Sequence, residues 1–122
     1  MKILFVDDNE LNRMVTEDMI AIIFPGALVE SYESAQSALN EADIESFDLI
    51  FSDIDMPVMD GFMFHDALRN ERNYQKPIIA LTALAISGDK ERMLMHGFTD
   101  YVSKPIDLDE LERILKKYLP DA

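Results

Sequence analysis

The feature that most constrains the fold of this chain is a regular alternation of short apolar runs with longer amphipathic segments. The runs occupy residues 3–6, 27–32, 49–51, 77–81 and 100–102. The first, third and fourth are almost continuously apolar, as is typical of strands covered on both faces. The alternation predicts five strand–helix repeats. It therefore favours a single α/β domain with a five-stranded parallel sheet, helices on both faces and right-handed crossovers.

The amphipathic segments predict five helices, and turn-forming residues mark several of their ends. Gly97 stands where the fourth helix is expected to stop, and Asp107 stands where it can cap the fifth. In the first helix we expect one apolar stripe to face the core. That stripe contains Leu11, Val15, Met19, Ile22 and Ile23.

The charge of the chain restricts its partners. Its 122 residues, expected to form one domain over positions 1–122, carry 24 acidic and 11 basic side chains, a net charge of −13. A direct nucleic-acid or membrane partner is therefore not expected, because both require basic surfaces. The acidic excess lies in residues 1–61, either as a solvated face or as carboxylates gathered around a cation. The absence of cysteine and of a targeting signal favours a cytoplasmic location.

Chemically active side chains follow four of the five predicted strands. Ligands of open parallel sheets bind at the carboxyl ends of the strands, so these side chains are expected to meet at one edge. Clustered carboxylates repel one another unless a cation neutralises them, and oxygen ligands of this kind suit Mg²⁺. A carboxylate beside that ion can act as a nucleophile toward phosphorus. The side chains are Asp7, Asp8, Asp53, Asp55, Thr82, Ser103 and Lys104.

Four ordered motifs in residues 2–119 resemble the receiver domain of two-component response regulators, including the chemotaxis regulators. They are Asp7-Asp8, the segment Asp-Ile-Asp-Met-Pro-Val-Met-Asp-Gly at 53–61, Leu-Thr-Ala at 81–83, and Tyr-Val-Ser-Lys-Pro at 101–105. The resemblance implies a flavodoxin-like doubly wound (βα)5 fold with strand order 2-1-3-4-5. It also implies a phosphoacceptor domain that is not an enzyme acting on separate substrates, but that catalyses its own metal-dependent phosphorylation and dephosphorylation.

The resemblance assigns roles to four aspartates of the expected site. Asp53 is implied to be the phosphoacceptor and also a metal ligand. Asp8 is implied to bind Mg²⁺ (or Mn²⁺) directly, and Asp7 is implied to help through a water molecule. The backbone carbonyl of Asp55 is expected to complete the protein ligands. Many members of the family carry an amide or a longer side chain where this chain has Asp55. Together with Leu84, Asp55 is expected to tune the lifetime of the phosphoryl group.

Four further residues receive roles from the same resemblance. Thr82 is expected to donate a hydrogen bond to one phosphoryl oxygen, and Lys104 to pair with another. Tyr101 occupies the position of the switch aromatic residue, which is expected to respond to Thr82. Pro105 is expected to follow a cis peptide bond that directs Lys104 inward.

The expected partners follow from the same resemblance. The phosphoryl donor is expected to be a histidine kinase or a histidine phosphotransfer protein. The output partner, whose identity is unknown, is expected to bind the face formed by the fourth helix, the fifth strand and the fifth helix. Either a single-domain regulator or the receiver of a larger protein fits the sequence.

Plainer interpretations stand beside these assignments. A strand-end aspartate can simply cap a turn or a helix, and we expect this role for Asp60. His65 and His96, far apart in sequence, are interpreted as structural or surface residues. The Asp53-Ile54-Asp55 segment also resembles haloacid-dehalogenase-type phosphohydrolases, although Pro57 departs from that motif. A third alternative is a docking module that has lost phosphorylation.

Overall fold

The computed structural model describes residues 1–83 and 87–120, with the side chains of all of these except 87–89. The expectations for Leu84, and any contribution of Ile86 to the output face, lie outside the described residues. Within these residues, five strands and five helices alternate: β1 Lys2–Val6, α1 Glu10–Ile23, β2 Leu28–Tyr32, α2 Ala35–Glu41, β3 Leu49–Asp53, α3 Gly61–Asp66, β4 Ile78–Thr82, α4 Ser87–His96, β5 Asp100–Ser103 and α5 Leu108–Tyr118. A 3₁₀ turn covers Ile44–Ser46, and a π-helical turn covers Ala67–Glu71 directly after α3.

The five strands form one parallel sheet in the order β2-β1-β3-β4-β5. The predicted doubly wound fold and its strand order are therefore confirmed. The central strands are buried along most of their length, whereas β2 and β5 lie at the edges and are only partly covered. Both β3 and β4 extend beyond the apolar runs, to Asp53 and Thr82, because their backbones continue to pair with the neighbouring strand.

The core has one apolar layer on each face of the sheet. Alternate residues of β1 illustrate the division: Leu4 and Val6 belong to the layer under α2, α3 and α4, whereas Ile3 and Phe5 belong to the layer under α1 and α5. Such alternation follows from the two-residue period of a strand. Among the described residues, no helix combines the length and apolar content needed to cross a membrane.

The prediction that a single apolar stripe of α1 faces the core is wrong in part. Leu11, Val15 and Ile22 are exposed, and the buried positions of the helix are Thr16 and Ile20. Because α1 carries apolar residues around most of its circumference, the pattern alone selects no single face. Packing against the sheet and α5 selects the face that contains Thr16.

Candidate functional site

The carboxyl edge of the sheet brings the predicted site residues together. Asp7 and Asp8 directly follow β1, Asp53 ends β3, Thr82 ends β4 and Lys104 directly follows β5. Because β1, β3, β4 and β5 are consecutive in the sheet, these side chains come from neighbouring strands. A rim of this kind is where open parallel sheets bind their ligands.

Lys104 joins two of the carboxylates. Its Nζ atom lies 2.8 Å from Oδ2 of Asp53 and 3.0 Å from Oδ2 of Asp7. The backbone amide of Lys104 donates to the carbonyl oxygen of Thr82 at 2.7 Å, and the Lys104–Pro105 peptide bond is cis. The lysine ammonium group is thus directed into the site, and its side chain is only 16% exposed.

Three carboxylates form a compact cluster. Oxygen atoms of Asp7, Asp8 and Asp53 all lie within 4.8 Å of one another. Asp7 and Asp53 are buried, whereas Asp8 faces solvent. The Oδ1 atom of Asp7 accepts a hydrogen bond from the Asn9 amide at 2.9 Å. Asp7 and Asp53 are therefore fixed inside the protein, whereas Asp8 leaves the cluster open to solvent. A hydrated cation can enter from that side.

The electrostatics of the site favour the arrival of a cation. Burial raises the pKa of Asp53 to about 6, and the charge of Asp7 adds to this, although Lys104 and the Asp55 amide act in the opposite direction. The pKa of Lys104 is raised. Burial of the ammonium group acts to lower this pKa, but hydrogen bonds to Asp53 and Asp7 and the charges of these two carboxylates outweigh the effect of burial. One ammonium group faces three carboxylates, and the imbalance suits a divalent ion bound by oxygen ligands.

The loop between β3 and α3 is fixed at both ends. The Asp55 amide donates to Oδ1 of Asp53 at 3.2 Å, and the Gly61 amide donates to the Ile54 carbonyl at 2.9 Å. A Cβ atom on Gly61 would lie 2.5 Å from the carbonyl oxygen of Asp53, so only glycine fits there. Asp60 caps α3 by accepting from the Met63 amide at 2.9 Å, which confirms its predicted capping role. The close approach of Gly61 is a feature that sequence reasoning missed, and its only signal was the glycine itself.

Thr82 and Tyr101 lie on adjacent strands. Thr82 is buried at the end of β4, and Tyr101 in β5 pairs with Ala80, two residues earlier in β4. The Tyr101 ring packs against the apolar layer under α2, α3 and α4, and Nζ of Lys90 in α4 lies 5.3 Å from its centroid. Tyr101 thus connects β5 with α4.

Asp55 is exposed, and it contributes no oxygen to the three-carboxylate cluster found among the described residues. Asp55 lines a groove of about 760 Å³ together with residues of the following loop and with Arg92 and His96 of α4. His96 also contacts Asp66 and the ring of His65. Sequence reasoning interpreted the two histidines separately, and their 31-residue separation in the chain gave no signal of this contact.

Comparisons with known proteins agree with this geometry. The family model described as the response regulator receiver domain matches residues 3–116. The chain is 37% identical over 127 residues to the signal transduction histidine-protein kinase BarA of Escherichia coli (strain K12), covering 100% of this chain and 13% of that protein. Sensor protein GacS of Pseudomonas syringae pv. syringae is 36% identical over 121 residues, with 96% and 13% covered. The chain thus spans about one eighth of these relatives.

Solved structures of response regulators and receiver domains are similar to this chain over nearly its whole length. Chemotaxis protein CheY4 of Vibrio cholerae has a TM-score of 0.84 at 32% identity, covering 96% of this chain and 97% of that one. The receiver domain of sensor histidine kinase PA1611 from Pseudomonas aeruginosa PAO1 has a TM-score of 0.83 at 37% identity, covering 98% and 97%. That structure has a magnesium ion coordinated in its active-site cleft.

A further neighbour was solved with a partner. The receiver domain of the Saccharomyces cerevisiae response regulator Ssk1 has a TM-score of 0.84 at 26% identity, covering 97% of this chain and 88% of that one. It was crystallised with the histidine phosphotransfer signalling protein Ypd1. The fold, the aspartate-rich rim and the match over residues 3–116 lead to one conclusion: the chain belongs to the response regulator receiver domains of two-component signalling.

Proposed function

We propose that Asp53 accepts a phosphoryl group from a phosphohistidine of a histidine kinase or of a histidine phosphotransfer protein. The observation that carries this proposal is the environment of Asp53. Its carboxylate is buried at the end of β3, with Oδ2 beside Lys104 and Oδ1 accepting from the Asp55 amide. The sensor kinases among the relatives, and the phosphotransfer partner of Ssk1, support a donor of this chemistry.

In the transfer step, an oxygen of Asp53 attacks the phosphorus atom of the donor. The bond between phosphorus and the donor imidazole nitrogen breaks, and that nitrogen keeps the electron pair. Asp53 must be ionised for this attack, and a pKa raised to about 6 leaves it so at neutral pH. Lys104 orients the attacking carboxylate by holding Oδ2.

The carboxylate cluster supports the presence of a divalent cation, Mg²⁺ or Mn²⁺. Asp8 and Asp53 would bind the ion directly, Asp7 would act through a water molecule, and Asp55 would supply its backbone carbonyl. The ion, when bound, would neutralise negative charge on the phosphoryl oxygens. The exposure of Asp8 supports its direct role, since an exposed carboxylate can exchange its waters for the ion.

Two further side chains would stabilise the phosphoryl group. Lys104 would exchange part of its contact with Asp53 and Asp7 for one phosphoryl oxygen, and Thr82 would donate its hydroxyl hydrogen to another. The same groups would serve a water molecule that hydrolyses the aspartyl phosphate. The domain would thus catalyse its own phosphorylation and dephosphorylation, without acting on a separate substrate.

The output would follow from the movement of Thr82 toward the phosphoryl group. That movement would free space behind β4, which Tyr101 on the adjacent strand can fill. Tyr101 also contacts α4 through Lys90, so the face formed by α4, β5 and α5 would change shape. A phosphoryl group can only bias conformations that already exist. This face would bind the output partner, and the negative charge of the chain disfavours a direct nucleic-acid or membrane partner.

Intact-mass measurement tests the proposal. Wild type incubated with Mg²⁺ and acetyl phosphate should gain one phosphoryl group, and Asp53→Asn should gain none. Asp43→Asn provides a matched control, because Asp43 is exposed, caps nothing with its side chain and precedes the amino end of β3, whereas Asp53 lies at the carboxyl end. Equal phosphorylation of Asp53→Asn would exclude Asp53. Sustained release of inorganic phosphate with no accumulated adduct would indicate a phosphohydrolase.

A further inference from the structure

Three side chains that could ligate a metal ion converge where α3 and α4 end. His65 and Asp66 end α3, and His96 ends α4. The Oδ1 atom of Asp66 lies 3.2 Å from Nδ1 of His65 and 2.9 Å from Nε2 of His96. One potential ligand atom from each residue lies within 4.8 Å of the other two.

We propose that His65, Asp66 and His96 form a binding site for a divalent transition-metal ion of the Zn²⁺ class. A water molecule would complete the coordination on the exposed side. The site would join the carboxyl end of α3 to the carboxyl end of α4. It is independent of the proposed phosphorylation of Asp53, and none of its three residues belongs to the carboxylate cluster.

The ligand types select the class of metal. Two imidazole nitrogens and one carboxylate oxygen are a donor set that suits Zn²⁺, whereas Mg²⁺ and Ca²⁺ prefer oxygen alone. In a tetrahedral zinc site with bonds of about 2.0–2.1 Å, neighbouring ligand atoms lie about 3.3 Å apart. The two observed separations, 2.9 and 3.2 Å, are close to this value. An ion could thus enter with small side-chain adjustments.

The burial of His65 is the second observation. Its side chain is 6% exposed, and its Nε2 atom is buried without a hydrogen-bond partner among the described residues. An unpartnered polar atom in the interior is destabilising, so an apolar ring of similar size would pack there at lower cost. What the imidazole adds is Nδ1, the atom that faces Asp66.

Gly97 makes the close packing of this ring possible. It follows His96 directly, has a φ of +121°, and a Cβ atom there would lie 3.0 Å from Cε1 of His65. The glycine thus ends α4 and leaves room for the ring of His65 at the same point. The ring of Phe62 meets His96 edge-on at 4.9 Å between centroids and limits the orientation of the second imidazole.

The proposed carboxylate ligand, Asp66, is accessible and charged. The side chains of Asp66 and His96 are 53% and 31% exposed, so an ion and its water can reach them from solvent. An aspartate carboxylate is ionised at neutral pH, as a metal ligand must be.

The two histidines are the only ones in the chain, which makes the test direct. The ring ¹⁵N and ¹H resonances of both are followed by NMR while Zn²⁺ is added to wild type in excess Mg²⁺, which suits the oxygen-only carboxylate cluster. We expect both rings to shift together and to saturate at one equivalent of Zn²⁺. Unmoved rings, or a shift of His96 alone, would overturn the proposal.

Two variants identify the ligands without disturbing the buried ring. His96→Gln and Asp66→Asn should each weaken Zn²⁺ binding at least tenfold by calorimetry, while Asp43→Asn, a matched surface change, should not. Zn²⁺ should also slow amide exchange at Met93 and Gly97 in wild type, since the ion would hold α4 to α3. Equal Zn²⁺ affinity in wild type and His96→Gln would show that the ion binds elsewhere.

Discussion

Lys104 and Asp53 form a 2.8 Å ion pair that passes over the end of β4, from the residue after β5 to the last residue of β3. Lys104 holds Asp7 of the β1 end as well, at 3.0 Å. One ammonium group therefore connects the ends of three strands. The buried carboxylates depend on it in the metal-free protein, because burying a charge without a partner is costly.

The first prediction concerns this dependence. Lys104→Met should lower the free energy of unfolding by about 3 kcal/mol in metal-free buffer, since it leaves two buried carboxylates unpaired. Urea denaturation with a chelator present measures it. The matched control is Lys116→Met, which removes an exposed lysine paired with Glu112 at 3.5 Å and should change stability by less than about 1 kcal/mol. Equal losses in the two variants would contradict the role of Lys104.

The second prediction is a pH dependence that arises from Asp53. Its pKa is about 6 in the folded chain and about 4 when unfolded. Between these values the folded state binds more protons, so the contribution of Asp53 to stability is greatest at low pH and decreases as the pH rises through 6. In chelator, the melting temperature of Asp53→Asn should therefore exceed that of wild type by a margin that grows from pH 4 to pH 7. A constant margin would show that Asp53 does not titrate in this range.

The third prediction concerns the metal ion. Mg²⁺ at ten times its dissociation constant should stabilise wild type by about 1.4 kcal/mol, because it binds only the folded state. Asp8→Ala should lose most of this response and should melt at the same temperature as wild type, or higher, in chelator. Asp43→Ala should respond to Mg²⁺ as wild type does. An unchanged response in Asp8→Ala, measured by thermal melts across a Mg²⁺ series, would remove Asp8 from the metal site.

The fourth prediction follows the proposed path from Thr82 to Tyr101. A phosphoryl mimic with Mg²⁺ should shift the amide NMR signals of Tyr101 and Met93 in wild type. In Thr82→Ala the shifts should stay near Asp8 and Asp53, because the hydroxyl that responds to the mimic is gone. Thr82→Ser, which keeps the hydroxyl, should restore the distant shifts. Shifts at Tyr101 that persist in Thr82→Ala would contradict the path.

The fifth prediction tests the close approach of Gly61 to the backbone of Asp53. Gly61→Ala should destabilise the fold by about 2 kcal/mol or more, since the new Cβ would lie 2.5 Å from the Asp53 carbonyl oxygen. It should also lower the yield of phosphorylated protein by displacing Asp53. Gly26→Ala is the matched control, because nothing lies within 4 Å of its Cβ position. Similar urea midpoints for the two variants would show that the loop adapts without cost.

The sheet could be predicted from sequence because its strands are short, apolar and regularly spaced. Runs of this kind at the central positions correspond to buried β1, β3 and β4. The buried face of α1 could not be predicted, since apolar residues surround that helix and Thr16 interrupts the expected stripe. Local pattern therefore identified the helix, whereas tertiary packing decides its orientation.

The residues of the aspartate rim could also be predicted, because each ends or directly follows a strand in the chain. The ion pairs between these residues could not be predicted, because no spacing in the sequence indicates that Lys104 contacts both Asp53 and Asp7. The contact of His65 with His96 depends on how α3 packs beside α4, and that information is distributed over the whole apolar layer.

The hydrogen bond from the Lys104 amide to the Thr82 carbonyl has a consequence for how the rim can move. It ties the end of β4 to the segment after β5, so a shift of the Thr82 backbone carries the lysine with it. We therefore expect the backbones of the two residues to move together. Substitutions at the two positions should for this reason combine non-additively, as neighbouring sites do. The end of β4 and the segment after β5 should thus act as one unit when a group binds at the rim.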